Sequence, residues 1–241
     1  MSRLRDAARD WLRARGYVWF RKPVLPWGLD LETDLRRSFD ITRAACVIDV
    51  GAHLGWETVR FAQMFPAAQV HAFELVPATC EQLRRNVADQ PRIRVHGFGL
   101  SNARGSARIT LQVDPQLNSL SGRAQPTAGG DSVEVQFRRL DEVADELGVR
   151  AVDLLKVDAE GHDLEVLEGG AALFAARRVR ALLVEVDFGG SNLQHGNFAK
   201  IAAWLEPYGM RFVALHEPQI VDRHGVPHLD YANALFLREA A

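Results

Sequence analysis

The chain has 241 residues, 47% of them hydrophobic and 25% charged, which is enough apolar material for one well-covered core. A net charge of −2 supplies no overall field for nucleic acid, and the body carries no basic stripe or RNA-binding motif, so nucleic acid is not expected as a partner. No run approaches the roughly 18 consecutive apolar residues of a membrane span, and residues 1–30 lack the unbroken apolar core of a signal peptide.

The two cysteines, Cys46 and Cys80, stand in apolar surroundings without a CxxC pair and read as buried small hydrophobes, so a reducing, cytoplasmic location is expected. Residues 1–22 hold seven basic side chains (Arg3, Arg5, Arg9, Arg13, Arg15, Arg21 and Lys22) against Asp6 and Asp10. Leu4, Ala8, Trp11 and Leu12 fall at helical spacing, which predicts a basic amphipathic helix. Three roles stay open for it, a lid over a site, a homodimer contact or a peripheral contact with anionic lipid, beside the plain alternative of a solvated basic face. LDLETDLRRSF predicts a second short helix, and residues 1–42 are read as a helical cap on a domain spanning 43–241.

From residue 46 short runs rich in Val, Ile and Phe alternate with amphipathic segments, the pattern of an α/β domain. Strands are predicted at 46–51, 69–74, 93–98, 106–113, 133–140, 152–158, 180–188, 210–215 and 233–238. Helices are predicted at 56–65, 77–89, 141–147, 163–175 and 195–206, with Asp141 as an N-cap. The long loop at 114–132 is of a length often found at functional sites, and its Asn118 and Ser119 are candidates to close over a ligand. Continuous apolar strands imply a parallel sheet covered on both faces, whose ligands collect at the carboxyl ends of the strands.

At the first such end, VIDVGAHLG (47–55) has glycines four apart, not the spacing of the dinucleotide fingerprint. Gly51 permits a tight strand-to-helix turn and a close backbone approach, while Asp49 would repel a pyrophosphate and suits a cationic ligand. Glu74, closing the second strand, can accept both hydroxyls of a ribose. Together the acidic Asp49, the glycine turn and a ribose-reading Glu74 point to S-adenosylmethionine, with His53 and Trp56 as residues that could border the site. The alternative is purely structural: Gly51 and Gly55 make a turn, Asp49 caps a helix, and His53 lies on the surface.

DLRRSF, VIDVGAHLGWETVRFAQMFPAAQVHAFELVP, RLDEV and above all LLKVDAEGHDLEVLEGG resemble the FkbM family of S-adenosylmethionine-dependent methyltransferases over roughly residues 30–238. The resemblance implies a Rossmann-like class I methyltransferase fold: a mostly parallel seven-stranded sheet, helices on both faces and an antiparallel C-terminal strand. It also implies cofactor contacts at Asp49, Gly51, Gly55 and Glu74, and methyl transfer to hydroxyls of sugars or polyketide-derived rings. The chain departs from the family at AFELVP, where AFEPNP or AFEPVP is common, which bears on the shape of the ribose loop.

Within LLKVDAEGHD (154–163) the charged residues divide by chemistry. An alcohol keeps its proton at neutral pH, so methyl transfer to oxygen needs a proton acceptor. His162, Asp158 and Glu160 are candidates, and His162 is assigned the role because its ordinary pKa is closest to neutrality. A divalent cation such as magnesium, held by Asp158, Glu160, Glu185 and Asp187, is a less favoured route, and no metal site is assigned. Lys156 is split between catalysis and a buried ion pair with Asp158, Asp49 or Glu185. Asp163 reads as helix electrostatics. The expected activity is O-methylation of a small-molecule or glycan acceptor. N-methylation of an amino sugar or small amine and a non-catalytic cofactor-binding module are the alternatives. Acceptor choice is expected to lie in residues 114–132, 188–198 and 216–230.

Overall fold

The structure is a computed structural model that describes residues 2–111, 132–188, 195–223 and 225–240. Asn118, Ser119 and most of the 114–132 loop lie outside the described residues. The chain opens with α1 (Ser2–Arg13) and α2 (Leu31–Ser38), then runs β1 (Cys46–Val50), α3 (Trp56–Met64), β2 (Gln69–Phe73), α4 (Pro77–Asn86) and β3 (Ile93–His96). It continues through β4 (Gly99–Ser101), β5 (Gly105–Thr110), β6 (Ser132–Arg139), α5 (Leu140–Glu146), β7 (Val152–Val157), α6 (Asp163–Gly169) and α7 (Ala171–Ala175). The last elements are β8 (Val179–Asp187), β9 (Gly196–Asn197), α8 (Phe198–Leu205), β10 (Met210–Arg223) and β11 (Val226–Arg238).

The main sheet has the order β10-β11-β8-β7-β1-β2-β3, with the two-residue β9 added to β8. The strands from β8 to β3 are mutually parallel, and β11 runs antiparallel to both β8 and β10. This is the predicted mostly parallel α/β sheet with an antiparallel C-terminal strand. All five residues of β1 and all six of β7 are buried, because alternate side chains enter different cores. Ile48, Val50, Leu155 and Val157 join one core with Val166, Phe174 and Ile201. Val47 and Leu154 join the other with Leu31, Leu35, Ile41 and Phe61, so α2 packs directly on the sheet. Cys46 and Cys80 are buried and unpaired, as expected.

The strands predicted at 106–113 and 133–140 stand outside the main sheet and form a second one, β4-β6-β5, while three local expectations change. The alternating burial along β5 is the signature of a sheet with one solvated face. The helix predicted at 163–175 is two helices broken at Gly170; a Cβ on Gly169 would lie 1.9 Å from the Ser101 carbonyl oxygen, so the glycine lets α6 close on β4. Asp141 is not an N-cap: the extended backbone of Arg139 starts α5 one residue earlier, and Asp141 pairs with that arginine at 2.7 Å. The final strands are far longer than 210–215 and 233–238, because their distal half pairs through backbone while its polar and proline-containing side chains show little apolar periodicity.

Asp153 ties the starting edges of three strands together. It is buried at 6% exposure, one carboxylate oxygen accepts the Ala45 and Cys46 amides at 2.7 and 3.2 Å, and the other meets Arg180 at 3.1 Å. Asp153→Ala would leave two amides and the strand-edge charge without their acceptor. Urea unfolding should show a loss of about 1–3 kcal/mol; an unchanged midpoint would mean water replaces the carboxylate.

Candidate functional site

The strand order reverses at β1, which has β2 on one side and β7 on the other, and such a switch point opens a crevice at the carboxyl ends. Gly51 sits there with φ 80°, and a Cβ on it would lie 1.8 Å from the Asp158 carbonyl oxygen, so the two strand ends can meet only with glycine at this position. Gly55 starts α3 with φ 89°, where a Cβ would press within 2.5 Å of Leu83. The His53 and Val76 amides donate to the two carboxylate oxygens of Glu74 at 3.0 and 2.8 Å. Glu74 is buried, and that burial raises its pKa against the pull of the amides.

Gly51, Phe73, Glu74, Leu75, Leu100, Asp158 and His162 line a cleft of about 420 Å³ that opens to solvent. Asp49 is not among its lining residues. It lies behind the turn at 2% exposure, accepts the Thr58 hydroxyl at 2.5 Å, and is pushed up to about 7 by burial. His162 lies in the cleft wall with Nε2 2.9 Å from the Ser101 Oγ and Nδ1 3.9 Å from Glu165. The structure therefore brings Gly51, Glu74, Asp158 and His162 together, with the His53 backbone behind Glu74.

Lys156 is buried at 1% exposure and answers to three elements: Asp158 at 3.2 Å, Asn233 of β11 at 2.9 Å and Glu57 of α3 at 3.7 Å. Burial opposes its charge, but Asp158, Glu57, Glu185 and Asp49 together raise its pKa, so the ammonium is retained. The ion-pair reading of Lys156 is the arrangement observed. Asp158, whose carboxyl burial would otherwise neutralise, is held below the usual range by Lys156.

Beyond Asp158 the site becomes crowded with charge. One oxygen each from Asp158, Glu160 and Glu185 lies within 4.8 Å of the others, and His195 Nδ1 lies 2.8 Å from the Glu185 carboxylate. Lys156 supplies a cation beside this trio and His195 Nδ1 faces Glu185, while Asp187 is not part of the cluster. Glu160 holds a left-handed backbone, φ 49°, in a turn locked by Asp163, whose two oxygens accept the Ala159 and Gly161 amides at 2.8 and 3.1 Å. Asp163 stands at the first turn of α6, as expected, and also holds this turn, with burial pushing its pKa up to about 7.

Sequence reasoning missed His195, Glu57, Asn233 and Ser101. His195 follows a stretch with no motif, and its spacing from Glu185 carries no recognisable pattern. The others come from elements that only the fold brings to the β7 end.

Burial, then Asp158 and Glu185, raises the Glu160 pKa to about 8 from an ordinary 4.5. The folded state therefore holds a proton that the unfolded chain releases near the ordinary value, and stability declines as pH rises through this window. Glu160→Gln removes its share of the decline and leaves those of Asp49 and Asp163 in place. Its urea midpoint should gain on the parent between about pH 5 and about pH 9; a constant difference across that range would contradict the assignment.

A family model described as the methyltransferase FkbM domain matches residues 49–212. The chain is similar to the 31-O-demethyl-FK506 methyltransferase FkbM of Streptomyces tacrolimicus, at 28% identity covering 76% of this chain and 79% of the relative. It is also similar to the 2-O-methyltransferase NoeI of Sinorhizobium fredii, at 28% identity covering 52% of this chain and 56% of the relative. It spans 8% of one further curated relative and 59% of another. Among solved structures, the methyltransferase FkbM of Methylobacillus flagellatus shares the fold with a TM-score of 0.51 and 17% identity, across 91% of this chain and 46% of that one. The matched segment starts at Asp49 and takes in the glycine turn, Glu74 and the charged end of β7, and on that match the chain belongs to the FkbM methyltransferase domain family.

Proposed function

We propose that the chain is an S-adenosylmethionine-dependent O-methyltransferase acting on a hydroxyl of a small-molecule or glycan acceptor, with 43–241 as the catalytic domain and 1–42 as its cap. The observation that carries this reading is that Glu74, the Gly51 turn and Asp158 line one cleft at the switch point, and that Asp158 also neighbours Glu185, which faces His195. The names of the relatives, one a methyltransferase of FK506 and one a 2-O-methyltransferase, support the same chemistry.

The residues present fit the cofactor. The Glu74 carboxylate accepts backbone amides and retains acceptor capacity for a ribose hydroxyl. Leu75 and Leu100 offer apolar walls for a base, and the bare backbone at Gly51 allows close approach. Asp158 lines the same cleft, and its negative charge would suit a sulfonium. The cofactor supplies a methyl group on a positively charged sulfur. What remains for the protein is to orient an acceptor hydroxyl, exclude water and take its proton.

Two histidines are candidates for that proton. The sequence assigns it to His162, whose Nε2 meets Ser101 in the same cleft as Glu74. His195 is the stronger candidate: its Nδ1 lies 2.8 Å from the Glu185 carboxylate, which would hold an Nδ1 proton and leave Nε2 to accept one. Burial alone would lower the His195 pKa, but Glu185, Glu160 and Asp158 raise it, which suits a base that must hold a proton after transfer. Lys156 positions Asp158 and takes no proton.

Calorimetry and labelled-cofactor transfer into glycan and metabolite extracts test the reading. Glu74→Ala should weaken S-adenosylmethionine binding about ten- to hundredfold, the worth of a lost charged hydrogen bond; undiminished affinity would remove Glu74 from the site. His195→Ala should lower kcat about a hundredfold or more with little change in cofactor KM, whereas His162→Ala should act mainly on that KM. The opposite split would return the base to His162, and kcat indifferent to both histidines would favour an amine acceptor.

A further inference from the structure

We infer that the segment from α1 to the start of α2 is a docking surface for an anionic phospholipid bilayer. Among the described residues, twelve large hydrophobic side chains are exposed, and eight of them lie between positions 11 and 29. They include Trp11, Tyr17, Trp19, Phe20 and Trp27, while the remaining four are scattered over the body. Three of the chain's five tryptophans are therefore on one short stretch, facing solvent at 47–60% exposure. A patch of this size and concentration marks an interaction surface. Trp and Tyr, with an apolar body and a polar edge, are the side chains that settle at the boundary between headgroups and acyl chains.

Charge identifies the partner. Residues 1–22 carry net +5, whereas the whole chain carries −2, so the remainder is at −7. A second copy would bring the same positive surface against itself, which disfavours self-association through this face. The aromatic and basic groups are also interleaved in space: the Arg15 guanidinium lies 3.8 Å over the Trp11 ring, and that of Arg37 lies 5.5 Å from Trp27. Lys22, Arg36 and Arg37, with Glu32 and Thr33, line an open cleft of about 520 Å³ at the start of α2, a basic recess at headgroup depth if the aromatic residues insert. No helix among the described residues is long and apolar enough to cross a bilayer, so the surface would lie on the membrane. The inference does not depend on methyl transfer.

The test uses the full chain with phosphatidylcholine vesicles and with vesicles containing about 30% phosphatidylglycerol. Sedimentation with the anionic vesicles should exceed that with neutral ones about tenfold or more, and should fall when salt is raised to about 0.5 M. Brominated acyl chains should quench tryptophan emission of the unaltered chain. Trp19→Ser with Phe20→Ser, and separately Arg13→Gln with Arg15→Gln and Arg21→Gln, should each reduce sedimentation about tenfold while the thermal midpoint stays unchanged. Equal partition onto neutral and anionic vesicles, absence of quenching, a dimer dissolved by the aromatic substitutions without vesicle binding, or retention on RNA in preference to vesicles would each overturn the inference.

Discussion

The buried ammonium of Lys156 is the constraint on which the site depends. A lone charge in the middle of a sheet flanked by two apolar cores would cost several kcal/mol, so the surrounding elements must bring it partners. β7 contributes Asp158, α3 contributes Glu57, and β11 reaches past β8 to contribute Asn233. The antiparallel return of β11 is thus part of the same arrangement as the parallel β1–β7 pair. In satisfying one cation, the fold also fixes the carboxylate that faces the crevice.

The crevice has a polar division of labour. On the β2 side, Glu74 is held by two backbone amides, so its orientation follows from the chain path and needs no other side chain. On the β8 side, orientation comes from side chains, with Glu185 on His195 and Asp163 on the turn that carries Glu160. Between them Gly51 and the Asp158 carbonyl pack so closely that no side chain can intervene. A ligand laid across the switch point would therefore meet a rigid backbone end and a titratable end.

The N-terminal segment follows a different logic from the body. Leu31 and Leu35 enter the core, and buried Asp34 binds the Gly28 amide at 2.7 Å and approaches His216 at 3.5 Å, which secures α2 against β10. Before this anchor the aromatic side chains stay in solvent beside arginines. The body is acidic and well covered, and the positive, apolar surface is gathered at one end.

The period of the apolar residues by itself determined the parallel core, since continuous runs such as CVIDV and VDLLKV are stable only between two covered faces. The glycine turn, Glu74 and the charged end of β7 were legible because short-range chemistry requires those residue types there. The second sheet, the full C-terminal hairpin and the break at Gly170 were less legible, because backbone pairing and close approach leave weak traces in side-chain pattern. Only the tertiary structure decided that Lys156 is buried and paired, that Asp49 lies behind the cleft, and that His195 meets Glu185. Those facts depend on which distant segments share a neighbourhood, and burial and charge compensation act on neighbours in space whatever their separation along the chain.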